Sequence, residues 1–252
     1  MNETRIAPVA AALEIFHARH AGARVIFLAG SVMRGEGTPS SDLDLVVVYE
    51  HLTTAYRESF THRGWPVETF VNDPETLNYF LREGDPASGF PSMTNMVLEG
   101  REIPAPCELS QSLKGIAAEV LAAGPPVWTD EELRAKRYFL TDKVDDIRYP
   151  RGDAELVATG AQMYEEAADF YLRSRGQWSA KGKAIPRRLR EVDANFAARF
   201  RAAFETLFVL KRPHEVVALV EEVLAPCGGF LFDGYKSYAP DDKRKPLDEG
   251  GG

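Results

Sequence analysis

The sequence predicts an α/β fold of the α+β kind: a small mixed β-sheet domain followed by an all-helical bundle. Short apolar runs with β-branched residues occur in the first 105 residues, between turn signals. Beyond that point the apolar residues recur at helical spacing, and proline or glycine separates the helical stretches. We therefore expect a sheet domain at 1–105, a helical domain at 106–240 and a flexible, charged tail at 241–252.

The first domain is expected to contain two helices and three strands. Apolar residues at helical spacing after Pro8 predict a helix over 7–20. Asp73-Pro74 is a typical helix start and predicts a second helix over 74–83. A short apolar run with β-branched residues predicts a buried strand at 24–29, and a second and a third strand are predicted at 43–49 and 67–71.

The second domain is expected to be helical throughout. Its predicted helices cover residues 108–123, 129–148, 153–175, 186–209 and 213–225. Residues 173–190 hold seven basic residues and no acidic one, and the glycines and Pro186 in this segment make part of it a loop. The segment is therefore either a solvated basic face or an anion-binding site.

Composition limits the classes of function. The 252 residues carry a net charge of −8, and residues 1–105 hold 8 basic and 14 acidic residues, a net of −6. Phosphate backbones bind clustered basic residues, so nucleic acid is not expected as a partner. Cys107 and Cys227 have no metal-binding spacing, and the absence of a disulfide framework fits a reducing cytoplasm. No apolar run reaches 18 residues, so we expect no membrane span, and no pattern specifies an oligomeric state.

A glycine–serine pair stands ten residues before an Asp-x-Asp motif. Ser31 ends the first predicted strand region, and Asp42-Leu43-Asp44-Leu45 opens the second strand. Because alternate residues of a strand point to one face, Asp42 and Asp44 project together. Adjacent carboxylates repel each other unless a cation compensates, and oxygen-only ligands suit Mg²⁺, which also binds phosphate oxygens. The motif therefore predicts a magnesium–triphosphate site.

Neighbouring residues are predicted to bind the triphosphate. Gly30 allows close approach of the backbone, and Ser31 offers a hydroxyl and a backbone N–H to phosphate oxygens. Ser41 and Arg34 are further candidates, although Arg34 fits a surface arginine on a glycine-rich loop equally well. The plain alternative is that Ser40-Ser41-Asp42 only caps a turn.

A third carboxylate would complete the site. Glu68 is the strongest candidate because it lies in the next predicted strand, with Val67 and Thr69 on the opposite face. It would ligate the metal or take the proton from an attacking hydroxyl. Asp73 is the second candidate, but its place before a proline favours a helix N-cap.

These residues resemble the DNA-polymerase-β-like nucleotidyltransferase superfamily, whose signature is glycine–serine, a spacer, and two acidic residues that alternate with hydrophobic ones. Gly30, Ser31, Asp42 and Asp44 match it position by position, with Leu43 and Leu45 as the hydrophobic residues. The resemblance implies a domain that binds ATP or another NTP with two Mg²⁺ ions. It implies that Asp42, Asp44 and Glu68 are the catalytic, metal-binding carboxylates.

The helical half is similar to the C-terminal domain of aminoglycoside adenylyltransferases. Lys183, Pro186 and Arg187 match a short segment that contributes there to nucleotide and drug binding, which implies that Lys183 and Arg187 contact the nucleotide. An aminoglycoside carries several ammonium groups and requires an acidic wall. Candidates for that wall, which are also explained as solvated helix faces, are Asp142, Asp145, Asp146, Glu165, Glu166 and Asp169.

The expected function is Mg²⁺-dependent transfer of a nucleoside monophosphate, with AMP as the first choice. The acceptor is a hydroxyl of a small cationic molecule such as an aminoglycoside, and pyrophosphate is released. The alternative is a protein-modifying AMP transferase similar to the antitoxins of the superfamily, which share the same spacing. A degenerate nucleotide sensor is disfavoured because all three carboxylates are present.

Overall fold

The computed structural model describes residues 5–239, so the tail predicted at 241–252 lies outside the described residues. Two compact units divide the chain. The first contains the residues through Pro126 together with Gly176–Ser179, and the second contains Val127–Arg175 and the residues from Ala180 onward. Each unit is described by itself.

The first unit is a five-stranded sheet with helices. Its elements are α1 (Pro8–Ala18), β1 (Val25–Ala29), α2 (Gly30–Met33), β2 (Leu43–Val48), β3 (Tyr56–His62), β4 (Trp65–Asn72), α3 (Pro74–Tyr79), α4 (Asp85–Ser88), α5 (Ser92–Glu99), β5 (Arg101–Ile103) and α6 (Glu108–Ala123). A π-helical turn at Phe80–Gly84 joins α3 to α4. The predicted helices and strands of this half are present, while β3, β5 and the short helices α2, α4 and α5 were not among the predicted elements.

The sheet is mixed, with the strand order β3-β4-β2-β1-β5. Strands β1 and β2 are antiparallel, and their register pairs Ala29 with Asp44. Strands β2 and β4 are parallel, and their register pairs Asp44 with Glu68. The edge strands β3 and β5 are antiparallel to β4 and β1. The predicted fold class, a mixed sheet followed by a helical region, is confirmed.

Both faces of the sheet are covered by helices. Residues of the central strands that pack on the α1 side are Ile26, Leu28, Leu43, Leu45 and Val47. Their neighbours Val25, Phe27, Val46 and Val48 pack on the other side against α3, α5 and α6. By alternation, Asp44 and Glu68 project from this second face.

Helix α6 packs with the first unit although it follows the domain boundary that we predicted near residue 105. Its Leu113 and Ala117 are buried in the core beneath the second face of the sheet, with Leu77 and Leu81 as neighbours. The compact unit thus continues to Pro126, and the boundary near residue 105 stays a prediction about domain organisation.

The second unit is helical in the residues that the structure describes. Its helices are α7 (Asp130–Arg148), α8 (Asp153–Arg173), α9 (Ile185–Val192), α10 (Ala194–Leu210) and α11 (His214–Leu224). Its core is rich in aromatic residues, and the Tyr171 and Phe196 rings stack with centroids 3.5 Å apart. Between residues 5 and 239, no helix combines the length and apolar character that a membrane span requires.

The single helix predicted over 186–209 is wrong, because α9 and α10 are separate helices. Asp193 stands between them with an extended backbone. Its carboxylate accepts hydrogen bonds from the Phe196 backbone N–H at 2.9 Å and from the Tyr171 hydroxyl at 3.0 Å. Such an N-cap starts a new helix. The residues on either side of Asp193 are apolar, so the sequence pattern showed no break between the two helices.

Candidate active site

Three carboxylates converge at one end of the sheet. Asp44 of β2 lies directly opposite Glu68 of β4 in the parallel register. Asp42 precedes β2 by one residue, two positions before Asp44. One carboxylate oxygen from each of Asp42, Asp44 and Glu68 lies within 4.8 Å of the others. The structure therefore brings together the three residues that we predicted as metal ligands.

The chemistry of this set fits a divalent cation. All three side chains are half-buried, and each contributes oxygen ligands of the kind that Mg²⁺ prefers. Carboxylates this close repel each other in a partly desolvated place, so a bound cation would relieve an unfavourable interaction. Among residues 5–239, this is the one group of three or more acidic, histidine or cysteine side chains with such geometry.

Gly30 lies against Asp44, at the point where β1 turns into the short helix α2. Its φ is +84°, a conformation that glycine adopts freely and other residues adopt at a cost. A Cβ atom at this position would lie 2.1 Å from Oδ2 of Asp44. Glycine is therefore required here both by the backbone conformation and by the space that the Asp44 carboxylate occupies.

Ser31 and Ser41 come together beside the carboxylates. The Ser31 hydroxyl donates to Oγ of Ser41 at 3.2 Å, and Oγ of Ser41 also accepts from the Thr38 backbone N–H at 2.8 Å. Because Ser41 N–H also bonds to the Thr38 carbonyl at 3.0 Å, this segment is a turn. This segment therefore forms a capped turn and also places two hydroxyl groups next to the carboxylate cluster. The role of both serines in phosphate binding stays a prediction.

Arg34 is held by acidic residues of its own unit. It donates to Glu36 at 3.1 Å and to Glu99 of α5 at 3.0 Å. Partial burial disfavours its charge, but the hydrogen bonds to these carboxylates outweigh burial and raise the pKa of Arg34. A contact between Arg34 and a phosphate, which stays a prediction, would have to compete with these two partners.

Asp73 is an N-cap. It accepts from the Thr76 N–H of α3 at 2.9 Å and from the Leu52 N–H at 3.0 Å. Its carboxylate is nearly buried, and its hydrogen bond from Thr76 lowers its pKa against the effect of burial. The expectation that Asp73 caps the start of the helix is confirmed.

Arg57 contacts the site although the sequence did not point to it. Its guanidinium donates to Oε2 of Glu68 at 2.5 Å and lies 4.8 Å from the centroid of the Phe70 ring. The contact depends on β3, an edge strand whose partly exposed residues gave no strong strand pattern. Arg63 and Gly64 join β3 to β4 and both have positive φ, as in a two-residue turn of type I′. The glycine was the one sign of this turn in the sequence.

Comparison with known proteins agrees with this geometry. The family model described as "Nucleotidyltransferase domain" matches residues 10–83, which include the glycine–serine pair and all three carboxylates. Residues 10–83 are a nucleotidyltransferase domain of the DNA-polymerase-β-like superfamily, and the chain is a nucleotidyltransferase. A nucleotidyltransferase of this family uses an NTP and a divalent metal ion and transfers a nucleoside monophosphate.

Two further comparisons add little to the assignment. A search of curated proteins gave no significant match. Among solved structures, the nucleotidyltransferase is similar to a nucleotidyltransferase-like protein from Exiguobacterium sibiricum, with 11% sequence identity and a TM-score of 0.43 over 86% of this chain and 74% of the other. A similarity this distant carries no argument about the acceptor.

The basic residues predicted to bind the nucleotide lie in the helical unit of the nucleotidyltransferase. Lys183 is exposed in a 3₁₀ turn (Gly182–Ala184) that leads into α9. Arg187 lies in the first turns of α9 and pairs with Glu191 at 3.5 Å. The turn is fixed because the Gly182 N–H donates to Glu165 at 3.0 Å. The nucleotide contacts of Lys183 and Arg187 stay predictions.

A cavity of about 240 Å³ lies between α7 and α8. Its floor is apolar, with Phe139, Leu140 and Phe170 among the lining residues. Its charged wall consists of two ion pairs, which join Lys136 to Asp169 at 3.2 Å and Lys143 to Glu166 at 3.1 Å.

Two of the six acidic residues predicted as an acceptor wall, Glu166 and Asp169, therefore line a cavity. The carboxylates of Asp142, Asp145 and Asp146 are exposed on α7, and Asp145 pairs with Arg148 at 3.1 Å. These three aspartates form a solvated helix face, which was the other interpretation of their spacing.

Proposed function

We propose that this nucleotidyltransferase transfers a nucleoside monophosphate, with AMP as the first choice, from an NTP to a hydroxyl of a small cationic acceptor such as an aminoglycoside. In the reaction, the acceptor oxygen forms a bond to the α-phosphorus, the bond between that phosphorus and the bridging oxygen breaks, and pyrophosphate leaves with the electron pair. The observation that carries the proposal is the cluster of Asp42, Asp44 and Glu68 beside Gly30.

The three carboxylates would hold Mg²⁺. When bound, the metal neutralises the triphosphate and lowers the barrier to attack by the acceptor oxygen. The position of Asp44 is fixed by the β1–β2 register and by the adjacent backbone of Gly30. Glu68, in register with Asp44, completes the set as a ligand or as the group that takes the proton of the acceptor hydroxyl.

The phosphates would lie on the turn that follows β1. Gly30 and Ser31 place backbone and hydroxyl donors within the same short segment that contacts Asp44. Ser41, which accepts from Ser31, adds a second hydroxyl on the adjoining turn. Such donors can bind phosphate oxygens without a side-chain positive charge.

The cavity between α7 and α8 is the proposed acceptor site. Glu166 and Asp169 are the acidic groups that an ammonium of the acceptor would engage, and each is paired with a lysine in the structure. On binding, an ammonium group of the acceptor would replace Lys143 as the partner of Glu166, or Lys136 as the partner of Asp169. On this proposal, Glu166→Gln should raise the KM of the acceptor and leave the KM of the NTP unchanged.

The decisive experiment is a pyrophosphate-release screen with purified protein. ATP, GTP, CTP and UTP are each tested with Mg²⁺ against aminoglycosides, lincosamides and the protein products of neighbouring genes. We expect release with one NTP and a small acceptor, and a loss of at least about 100-fold in Asp44→Asn, because the metal supplies several kcal/mol of transition-state stabilisation. Equal turnover in Asp44→Asn would overturn the metal assignment, and release only with a protein acceptor would establish the protein-modifying alternative.

A further inference from the structure

Arg57 binds the third carboxylate of the site from the neighbouring strand. The β3–β4 register pairs Arg57 with Phe70 and Ser59 with Glu68, so Arg57 reaches Glu68 diagonally across the strand pair. The Phe70 ring lies beneath the guanidinium at 4.8 Å, and Oε2 of Glu68 accepts its hydrogen bond at 2.5 Å. The ring contact and the hydrogen bond together define the position of the arginine.

This ion pair contributes little to stability. The Arg57 side chain is 57% exposed and that of Glu68 is 30% exposed. Pairs between solvated side chains add at most a small stabilisation, because water and salt screen them and both side chains lose rotamer freedom. Any effect of the pair on function therefore acts through Glu68, which is one of the three clustered carboxylates.

We propose that Arg57 is a positioning residue that weakens the affinity of the carboxylate cluster for a divalent cation when no NTP is bound. This inference rests on the metal site of the proposed function. Arg57 and the metal are two cations that compete for one carboxylate, and the positive charge of Arg57 also offsets one of three negative charges. The metal then binds strongly only together with the NTP, whose phosphate oxygens supply further ligands.

The test measures Mn²⁺ binding to the full chain without NTP, by electron paramagnetic resonance at fixed ionic strength. Wild type is compared with Arg57→Gln and with Arg57→Met, which keeps an apolar side chain over Phe70. Both variants lose one positive charge several ångströms from the divalent ion. By Coulomb's law near the protein surface, the dissociation constant of Mn²⁺ should be about 3- to 10-fold lower in both variants than in wild type. Thermal melts verify that each variant is folded.

Arg19→Gln is the matched control. Arg19 pairs with Glu58 of the same strand β3 at 2.6 Å and has a side-chain exposure of 47%, close to that of Arg57. Its loss removes one positive charge and one ion pair, but Glu58 does not belong to the cluster. We expect the Mn²⁺ affinity of Arg19→Gln to equal that of wild type.

A double variant separates action through Glu68 from a general charge effect. In a Glu68→Gln background, replacing Arg57 should change the Mn²⁺ affinity by less than half as much on a logarithmic scale. An unchanged or weaker affinity in Arg57→Gln, or an undiminished effect in the double variant, would overturn the role of Arg57. If wild type binds no Mn²⁺, or Asp44→Asn binds it equally well, the metal site of the proposed function fails as well, and the two failures are thereby distinguished.

Discussion

A Cβ atom on Gly30 would lie 2.1 Å from Oδ2 of Asp44, well inside any normal contact distance. The closeness follows from the β1–β2 register, in which Ala29 is the partner of Asp44 and the chain turns away at the next residue. The glycine of the glycine–serine pair is therefore part of the carboxylate site and not only a flexible joint.

Gly30→Ala should reduce NTP turnover at least about 100-fold, because a displacement of about 1 Å in a catalytic group has effects of this size. The methyl group must push Asp44 away from Asp42 and Glu68 or shift the turn. Strain at positive φ should also lower the free energy of unfolding by about 1–2 kcal/mol. Pyrophosphate release and urea denaturation measure the two effects.

Gly35→Ala is the control for this prediction. Gly35 has a φ of +75°, similar to that of Gly30, but apart from its own chain neighbours no atom lies within 4 Å of its Cβ position. This variant should lose similar stability and keep most of its activity. Equal activity losses in the two variants would show that strain in the loop, and not the contact with Asp44, is responsible.

Asp73→Ala should lower the free energy of unfolding at pH 7 by about 1–2 kcal/mol, the typical effect of losing an N-cap. The side chain caps α3 and also accepts from the Leu52 N–H, so its removal leaves two backbone donors without their carboxylate. Glu75→Gln, an exposed acidic residue in the first turn of the same helix, is the control and should change stability little.

The pH dependence of this effect has a definite sign. Because the hydrogen bond from Thr76 lowers the pKa of Asp73 in the folded state, the carboxylate contributes stability above the ordinary value near 3.8. That contribution is lost as the pH falls below 3.8 toward the folded-state pKa. The stability gap between wild type and Asp73→Ala should therefore shrink in this range, and a gap independent of pH would contradict the assignment.

Much of the fold followed from local sequence patterns. Apolar runs located the central strands β1 and β2, because these strands are buried on both faces and their residues are almost all apolar. Strand β4 was also located, although it contains polar residues and alternates between buried and less buried ones over most of its length. The helix start at Asp73 could also be predicted, because a capping residue followed by a proline is a local signal. In contrast, β3 is an edge strand with alternating exposed residues, and β5 has only three residues. Their formation depends on pairing with β4 and β1, which no local pattern specifies.

The candidate site divides in the same way. The spacing of Asp42 and Asp44 sufficed to place both on one face, because strand alternation is a local property. The direct pairing of Asp44 with Glu68 and the contact of Gly30 with Asp44 depend on strand register. The contact of Arg57 with Glu68 required a strand that was not predicted. The sequence patterns therefore predicted the carboxylates and the glycine, whereas the contacts among them could be read only from the strand registers.

His20 should make the protein less stable as the pH falls below about 6.5. The residue is 1% exposed, and burial lowers its pKa, with Glu58 opposing and Arg19 reinforcing the shift. Below 6.5, the unfolded chain binds a proton that the folded protein resists, so stability falls until the folded-state pKa is reached. The slope from this group is at most about 1.4 kcal/mol per pH unit.

His20→Asn tests this dependence. Nδ1 of His20 lies 2.9 Å from the Tyr49 hydroxyl, and an asparagine can keep a polar atom near that position without titrating. Urea denaturation of both proteins between pH 5 and 8 should give a shallower slope for the variant below pH 6.5. Because the other histidines are common to both proteins, parallel curves would show that His20 does not titrate in this range.

Lys183→Gln should raise the KM of the NTP by at least about tenfold and leave the melting temperature unchanged. The predicted role is a charge-assisted contact with a phosphate, and loss of such a contact typically changes binding by about 1.5–3 kcal/mol. Lys183 is exposed, so its replacement should not disturb packing. Arg190→Gln is the control, because Arg190 is an exposed residue of the same basic segment and has no predicted phosphate contact. Steady-state kinetics with varied NTP concentration measure the KM. Equal KM values in Lys183→Gln and wild type would exclude the nucleotide contact. Equal increases of the KM in Lys183→Gln and Arg190→Gln would show a general effect of positive charge instead of a specific contact.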